Sequence, residues 1–107
     1  MTENKVVRHI LFVKISPQKT AQQFEAFISA FRELTTKIDG ILSFEYGRNN
    51  SPEGLDRGMT HVITLTFVDA AARDAYLPHP EHAQFGRYLG ETGILEEIIV
   101  VDYTPQA

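Results

Sequence analysis

The chain has 107 residues, a net charge of −4 and no cysteine. That length suits a single domain spanning residues 1–107. The acidic balance argues against a nucleic-acid binder, which needs a basic patch, and against a polybasic membrane contact. The absence of cysteine excludes a disulfide framework, a thiolate nucleophile and a cysteine-based metal site. No apolar run approaches the roughly 18 residues of a membrane span. The N-terminus has no basic region leading into an apolar stretch, so the cytosol is the expected compartment.

Val6 to Ile15 reads as a first strand. Val7, Leu11 and Val13 share one parity and Ile10 and Phe12 the other, so both faces need cover. Ser16-Pro17 then suits a helix start, with Ser16 as N-cap and Pro17 at the first helical position. Phe24, Phe27, Ile28, Phe31, Leu34 and Ile38 follow at helical spacing and make one apolar stripe. Asp39-Gly40 closes this helix, with Gly40 expected as a left-handed cap.

Ile41 to Arg48 alternates as a second strand. The stretch from Asn49 to Gly54 has the composition of a loop. Met59 to Val68 is a third strand, with His61, Ile63, Leu65 and Phe67 on one face. Asp69 is placed to cap a short helix from Ala70 to Tyr76, and Pro78 breaks it. His79-Pro80 restarts a helix that runs to about Leu89. Ile94 to Tyr103 is the last strand. The order β-α-β-β-α-β, with its second helix broken, is the split βαβ or ferredoxin-like arrangement. Right-handed crossovers give a four-stranded antiparallel sheet in the order 4-1-3-2.

The helices can cover only one face of that sheet. The other keeps apolar side chains, and large exposed patches are rare on soluble monomers. A homodimer that packs two open faces about a two-fold axis is the simplest cover.

Attention for chemistry falls on His9, His61, His79 and His82. His9 and His61 start antiparallel neighbours, which places them at opposite ends of the sheet. Each reads equally as a hydrogen-bonded core histidine or a pocket residue. Tyr76-Leu77-Pro78-His79-Pro80-Glu81-His82 is the most informative segment. If Pro80 opens a helix, His82 lies in its first turn, where the positive helix end disfavours a charged imidazole. A neutral imidazole suits a general base. Tyr76 can present a hydroxyl to a developing oxyanion. The plainer reading of the same residues is structural: His79 caps, His82 is solvated and Tyr76 fills the core. His79 and His82 are three residues apart, but no third metal ligand suggests itself, so no metal is expected. Nucleotide fingerprints and the nucleophile elbow are absent.

Val7-Arg8-His9-Ile10-Leu11-Phe12, Gly58-Met59-Thr60-His61, His79-Pro80-Glu81-His82 and Val101-Asp102-Tyr103 together resemble the stress-responsive dimeric α/β-barrel (Dabb) family over nearly the whole chain. The resemblance implies an α+β, ferredoxin-like monomer and a dimeric α/β barrel. It also implies, through a plant polyketide cyclase of that family, an intramolecular aldol condensation without a cofactor. Tyr76 and His82 match the cyclase's catalytic tyrosine and histidine. His9 and His61 match its pocket histidines, and Phe27, Ile28, Phe31, Phe85 and Gly86 its pocket-lining positions. Leu11 and His79 complete the expected substrate-binding set. Ile28 stands where the cyclase has an aromatic residue and Gly93 where it has a tryptophan, so a different cavity shape follows. A small apolar or aromatic ligand, bound between sheet and helices, is the expected partner besides a second copy. Catalytic cyclisation and cofactor-free monooxygenation remain alternatives to binding alone.

Overall fold

The computed structural model describes residues 5–106. The elements are β1 (Val7–Ile15), α1 (Ala21–Thr36), β2 (Ile41–Arg48), β3 (His61–Phe67), α2 (Ala70–Tyr76), α3 (Pro80–Thr92) and β4 (Leu95–Tyr103). The strands form one sheet in the order β2-β3-β1-β4, with every pair antiparallel. This is the expected ferredoxin-like topology.

Strand parity decides what is buried. Val7, His9, Leu11 and Val13 of β1 face the helices and are buried, as are Ile63, Leu65 and Phe67 of β3. The register sets Leu11 opposite Ile63 and His9 opposite Leu65, so these side chains form one continuous surface. α1 lays Phe27, Ile28, Phe31 and Leu34 on it. Each large side chain so buried contributes roughly 1.5–3 kcal/mol.

The start of α1 differs from expectation. Its N-cap is Thr20 rather than Ser16: the Thr20 hydroxyl accepts from the Gln23 amide, and the Gln23 side chain accepts from the Thr20 amide. This capping box satisfies two donors at once. Ser16 instead opens a turn in which its hydroxyl accepts a long 3.4 Å bond from Gln18, and Pro17 lies outside the helix.

The helix end differs too. Lys37 is the C-cap and is itself right-handed, while Gly40 takes its left-handed φ of 91° three residues later, in the turn into β2. A Cβ at Gly40 would lie 2.6 Å from the Cβ of Ala72. Glycine is therefore required there twice, for its dihedral and for the close approach of α2. The last helix extends beyond the expected Leu89, through Thr92, and ends on left-handed Gly93.

The opposite face of the sheet carries no helix. Ile10, Phe12, Val62, Ile99 and Val101 share it, since Phe12 lies opposite both Val62 and Ile99 and Ile10 opposite Val101. The edge strand β4 is open on both sides. Ile98 and Val100 lie opposite Val13 and Leu11 on the helix side, yet all four residues from Ile98 to Val101 are 45–50% exposed. The helices therefore do not reach across β4. Among the described residues no helix is long and apolar enough to cross a membrane.

Candidate functional site

The break between α2 and α3 is closed by its own side chains. A helix end leaves carbonyls without partners, and Pro78 and Pro80 have no N–H to offer. The Tyr76 carbonyl accepts from the His79 amide at 3.1 Å, and the Leu77 carbonyl accepts from Nδ1 of His82 at 2.8 Å. His79 is the N-cap of α3, with its Nδ1 accepting from the Glu81 amide at 3.1 Å.

These bonds fix tautomers. A carbonyl can only accept, so Nδ1 of His82 carries the proton and a neutral ring keeps its lone pair on Nε2. At His79 the assignment is reversed: its Nδ1 accepts, so that nitrogen is occupied by the cap.

Tyr76 is the last residue of α2 and is buried among His9, Phe67 and His82. Its ring centroid is 4.3 Å from that of His82, 5.1 Å from Phe67 and 5.9 Å from His9. Burial pushes its phenol pKa above the ordinary range, so the hydroxyl keeps its proton and remains a donor. That hydroxyl has no hydrogen-bond partner among the described residues, yet no fully enclosed side-chain oxygen lacks one. The little surface that Tyr76 retains therefore includes this oxygen.

His9 adds a third imidazole from the sheet. Its Nδ1 faces Oδ1 of Asp102 at 2.8 Å, and Oδ2 of Asp102 accepts from Nη1 of Arg73 at 2.7 Å. Nε of Arg73 is bonded to Asp74 at 2.7 Å. Asp102 comes from β4, opposite His9, and Arg73 from α2, one turn before Tyr76. Neither Asp102 nor Arg73 was singled out as a site residue. The one sequence signal is an acidic residue ending an otherwise apolar strand.

The remaining expected site residues fall into separate groups. Phe27, Phe31 and Phe85 form a second aromatic cluster, with centroids 4.8–6.3 Å apart. Leu11 and Ile28 are buried in the same core. Gly86, on α3, is exposed. His61 stands apart. It lies opposite Val13, four positions along β1 from His9, or roughly 13 Å at the rise of a strand. Its ring packs on Phe24 with centroids 4.6 Å apart. Burial first, and then the neighbouring Arg48 charge, lower its pKa. Among the described residues no three histidine, aspartate or glutamate side chains gather as metal ligands.

A four-stranded antiparallel sheet in β2-β3-β1-β4 order, with helices on one face, defines a ferredoxin-like α+β domain. The sequence matches the stress responsive A/B barrel domain over residues 7–105, and the chain belongs to that family. It is 29% identical over 99 residues to the stress-response A/B barrel domain-containing protein HS1 of Arabidopsis thaliana, covering 92% of this chain and 89% of that protein. It is 26% identical over 100 residues to olivetolic acid cyclase of Cannabis sativa, covering 94% and 97%. Among solved structures, an Arabidopsis thaliana protein superposes with a TM-score of 0.87 at 29% identity, covering 94% and 96% of the two chains. The hydroxynitrile lyase of Passiflora edulis shares the fold, with a TM-score of 0.84 at 24% identity and coverage of 97% and 96%. A dimeric ferredoxin-like protein of a Jannaschia species shares it at 0.76 and 23% identity, covering 94% and 99%.

Proposed function

We propose that this protein is a cytosolic homodimer that binds a small apolar or aromatic carbonyl compound beside Tyr76 and His82. We further propose that the pair removes a proton α to that carbonyl without a cofactor. The observation that carries this reading is the tautomer of His82: the Leu77 carbonyl accepts from Nδ1–H, which leaves Nε2 as the basic atom of a ring whose centroid lies 4.3 Å from that of Tyr76.

In the reaction Nε2 of His82 takes the α-proton, and the bond's electron pair moves into an enolate. The Tyr76 hydroxyl donates to the enolate oxygen. The enolate carbon then attacks a second carbonyl of the same molecule, forming the new carbon–carbon bond, and the protonated His82 returns its proton to the resulting alkoxide. His9 flanks the Tyr76 ring, His79 fixes the helix break, and Leu11, Phe27, Ile28, Phe31 and Phe85 belong to the same packed core as Tyr76. The likeness to olivetolic acid cyclase supports an aldol cyclisation over other enolate chemistry.

The homodimer joins two open sheet faces. In support, Ile99 and Val101 are half exposed on the face that carries no helix among the described residues, and a fold neighbour is dimeric. The cysteine-free sequence fits a cytosolic location.

A second reading, binding without chemistry, is favoured by one observation. Phe27 and Phe31 are fully buried and Phe85 nearly so, and their rings pack on one another, so the space between sheet and helices is filled. An NMR screen with β-keto and phenolic acids separates the two. Shifts at Tyr76, His82 and Phe85, with conversion by the wild type and none by His82→Ala, support the enzyme. Binding without conversion by either protein supports the second reading.

A further inference from the structure

A groove of about 410 Å³ opens at the start of α1, at the other end of the sheet from Tyr76 and His82. Lys19, Thr20, Phe24, Arg48, Thr60 and His61 are among its lining residues, and among the described residues no aspartate or glutamate lines it. Arg48 lies opposite His61 in the β2–β3 register, so its side chain stands on the helix side of the sheet. Lys19 precedes the N-cap of α1.

Two features point to a ligand. First, among the described residues, the side chains of Lys19 and Arg48 make no ion pair or hydrogen bond. Lys14, Lys37 and Arg73, by contrast, each find a carboxylate. Both side chains line the same groove, and among the described residues no carboxylate lines it with them. Second, the groove has an aromatic lining: Phe24 packs on His61 at 4.6 Å and on Tyr46 at 6.1 Å. The hydroxyls of Thr20 and Thr60 line the same groove. Its volume falls within the range of small-molecule sites.

We propose that this groove binds a small aromatic carboxylate, with the ring against Phe24 and the carboxylate between Arg48 and Lys19. An arginine presents paired N–H donors that match a carboxylate, and a planar ring stacks on the exposed aromatic edge at little conformational cost. Burial first, and then the Arg48 charge, lower the pKa of His61, which places that charge close to the groove. This site is separate from the Tyr76–His82 pair and stands or falls independently of it.

The test uses benzoate and its uncharged counterpart benzamide, titrated against the full chain and followed by two-dimensional NMR. The expected result is saturable shifts of the Thr20 to Phe24 amides and of the His61 ring with benzoate. Benzamide should bind roughly tenfold more weakly, as loss of a charge-assisted contact implies. Arg48→Gln, an exposed position, should weaken benzoate by a similar factor, and Lys19→Gln should weaken it further in combination. Equal binding of the two probes would overturn the proposal. So would shifts confined to Tyr76 and His82, or an affinity unchanged in the double variant.

Discussion

The two ends of the helix-covered sheet face are built on opposite principles. At the Tyr76 end the three imidazoles and the Arg73 and Asp102 side chains are already engaged. Leu77 holds His82, the Glu81 amide holds His79, and Asp102 joins His9 to Arg73. At the His61 end Lys19 and Arg48 have no partner among the described residues, and the aromatic rings lie beside an open groove. Internal hydrogen bonds that fix a tautomer prepare a group for proton transfer, where geometry must be set before substrate arrives. Unpaired charge beside an aromatic surface prepares recognition, because the ligand supplies the missing partner.

Substitutions break this contrast to different extents. The largest effect expected is on turnover. His82→Ala should lose roughly a hundredfold or more in rate, the usual contribution of a general base, with the fold intact by circular dichroism. A rate that survives would remove His82 from the chemistry.

Tyr76 separates its two roles by substitution. Tyr76→Ala empties a fully buried ring site and should cost about 3–5 kcal/mol in denaturant unfolding. Tyr76→Phe removes a hydroxyl that has no internal partner and should leave stability within about 0.5 kcal/mol, while turnover falls. Equal stability loss in both variants would mean that the hydroxyl bonds within the protein.

Asp102→Ala should cost about 2 kcal/mol, because it removes the shared acceptor of His9 and Arg73 in a half-buried position. A neutral result would show that the His9 end is not fixed by this pair.

The smallest effect concerns protons at the other end. The pKa of His61 is lowered by burial and then by Arg48, so the folded chain resists the proton that the unfolded chain accepts. Stability conferred by the neutral ring is therefore lost as pH falls below the ordinary value of 6.5. Arg48→Gln should raise the His61 pKa in an NMR titration and soften that loss. A lower pKa in the variant would contradict the assigned cause.

Much of the fold is legible in the sequence because its signals are local. Alternation within Val7–Ile15 and the stripe from Phe24 to Leu34 each identify an element without reference to the rest. Asp69 and Pro80 mark helix starts in the same way. The cap of α1 falls at Thr20 rather than Ser16, although Ser16-Pro17 and Thr20-Ala21-Gln22-Gln23 both carry a start signal. Only the second completes a reciprocal box.

The Tyr76–His82 segment was visible as seven adjacent residues, and so was its helix break. The His9–Asp102–Arg73 chain was not. Its hydrogen bonds span 93 and 29 residues, and only the pairing of β1 with β4 brings them together. The groove at His61 is hidden for the same reason: Lys19 comes from the turn before α1, Arg48 from β2 and His61 from β3. The exposed helix-side residues of β4 depend on how far the helices extend sideways, which no periodicity encodes.

The most direct measurement is exchange of the α-protons of an aromatic β-keto acid for deuterium, followed by proton NMR in D₂O with wild type and His82→Ala. The account predicts exchange accelerated by the wild type above the buffer rate and returned to the buffer rate by the substitution. Wild-type exchange no faster than buffer across the β-keto acids that bind near Tyr76, or exchange that persists unchanged in His82→Ala, would contradict it.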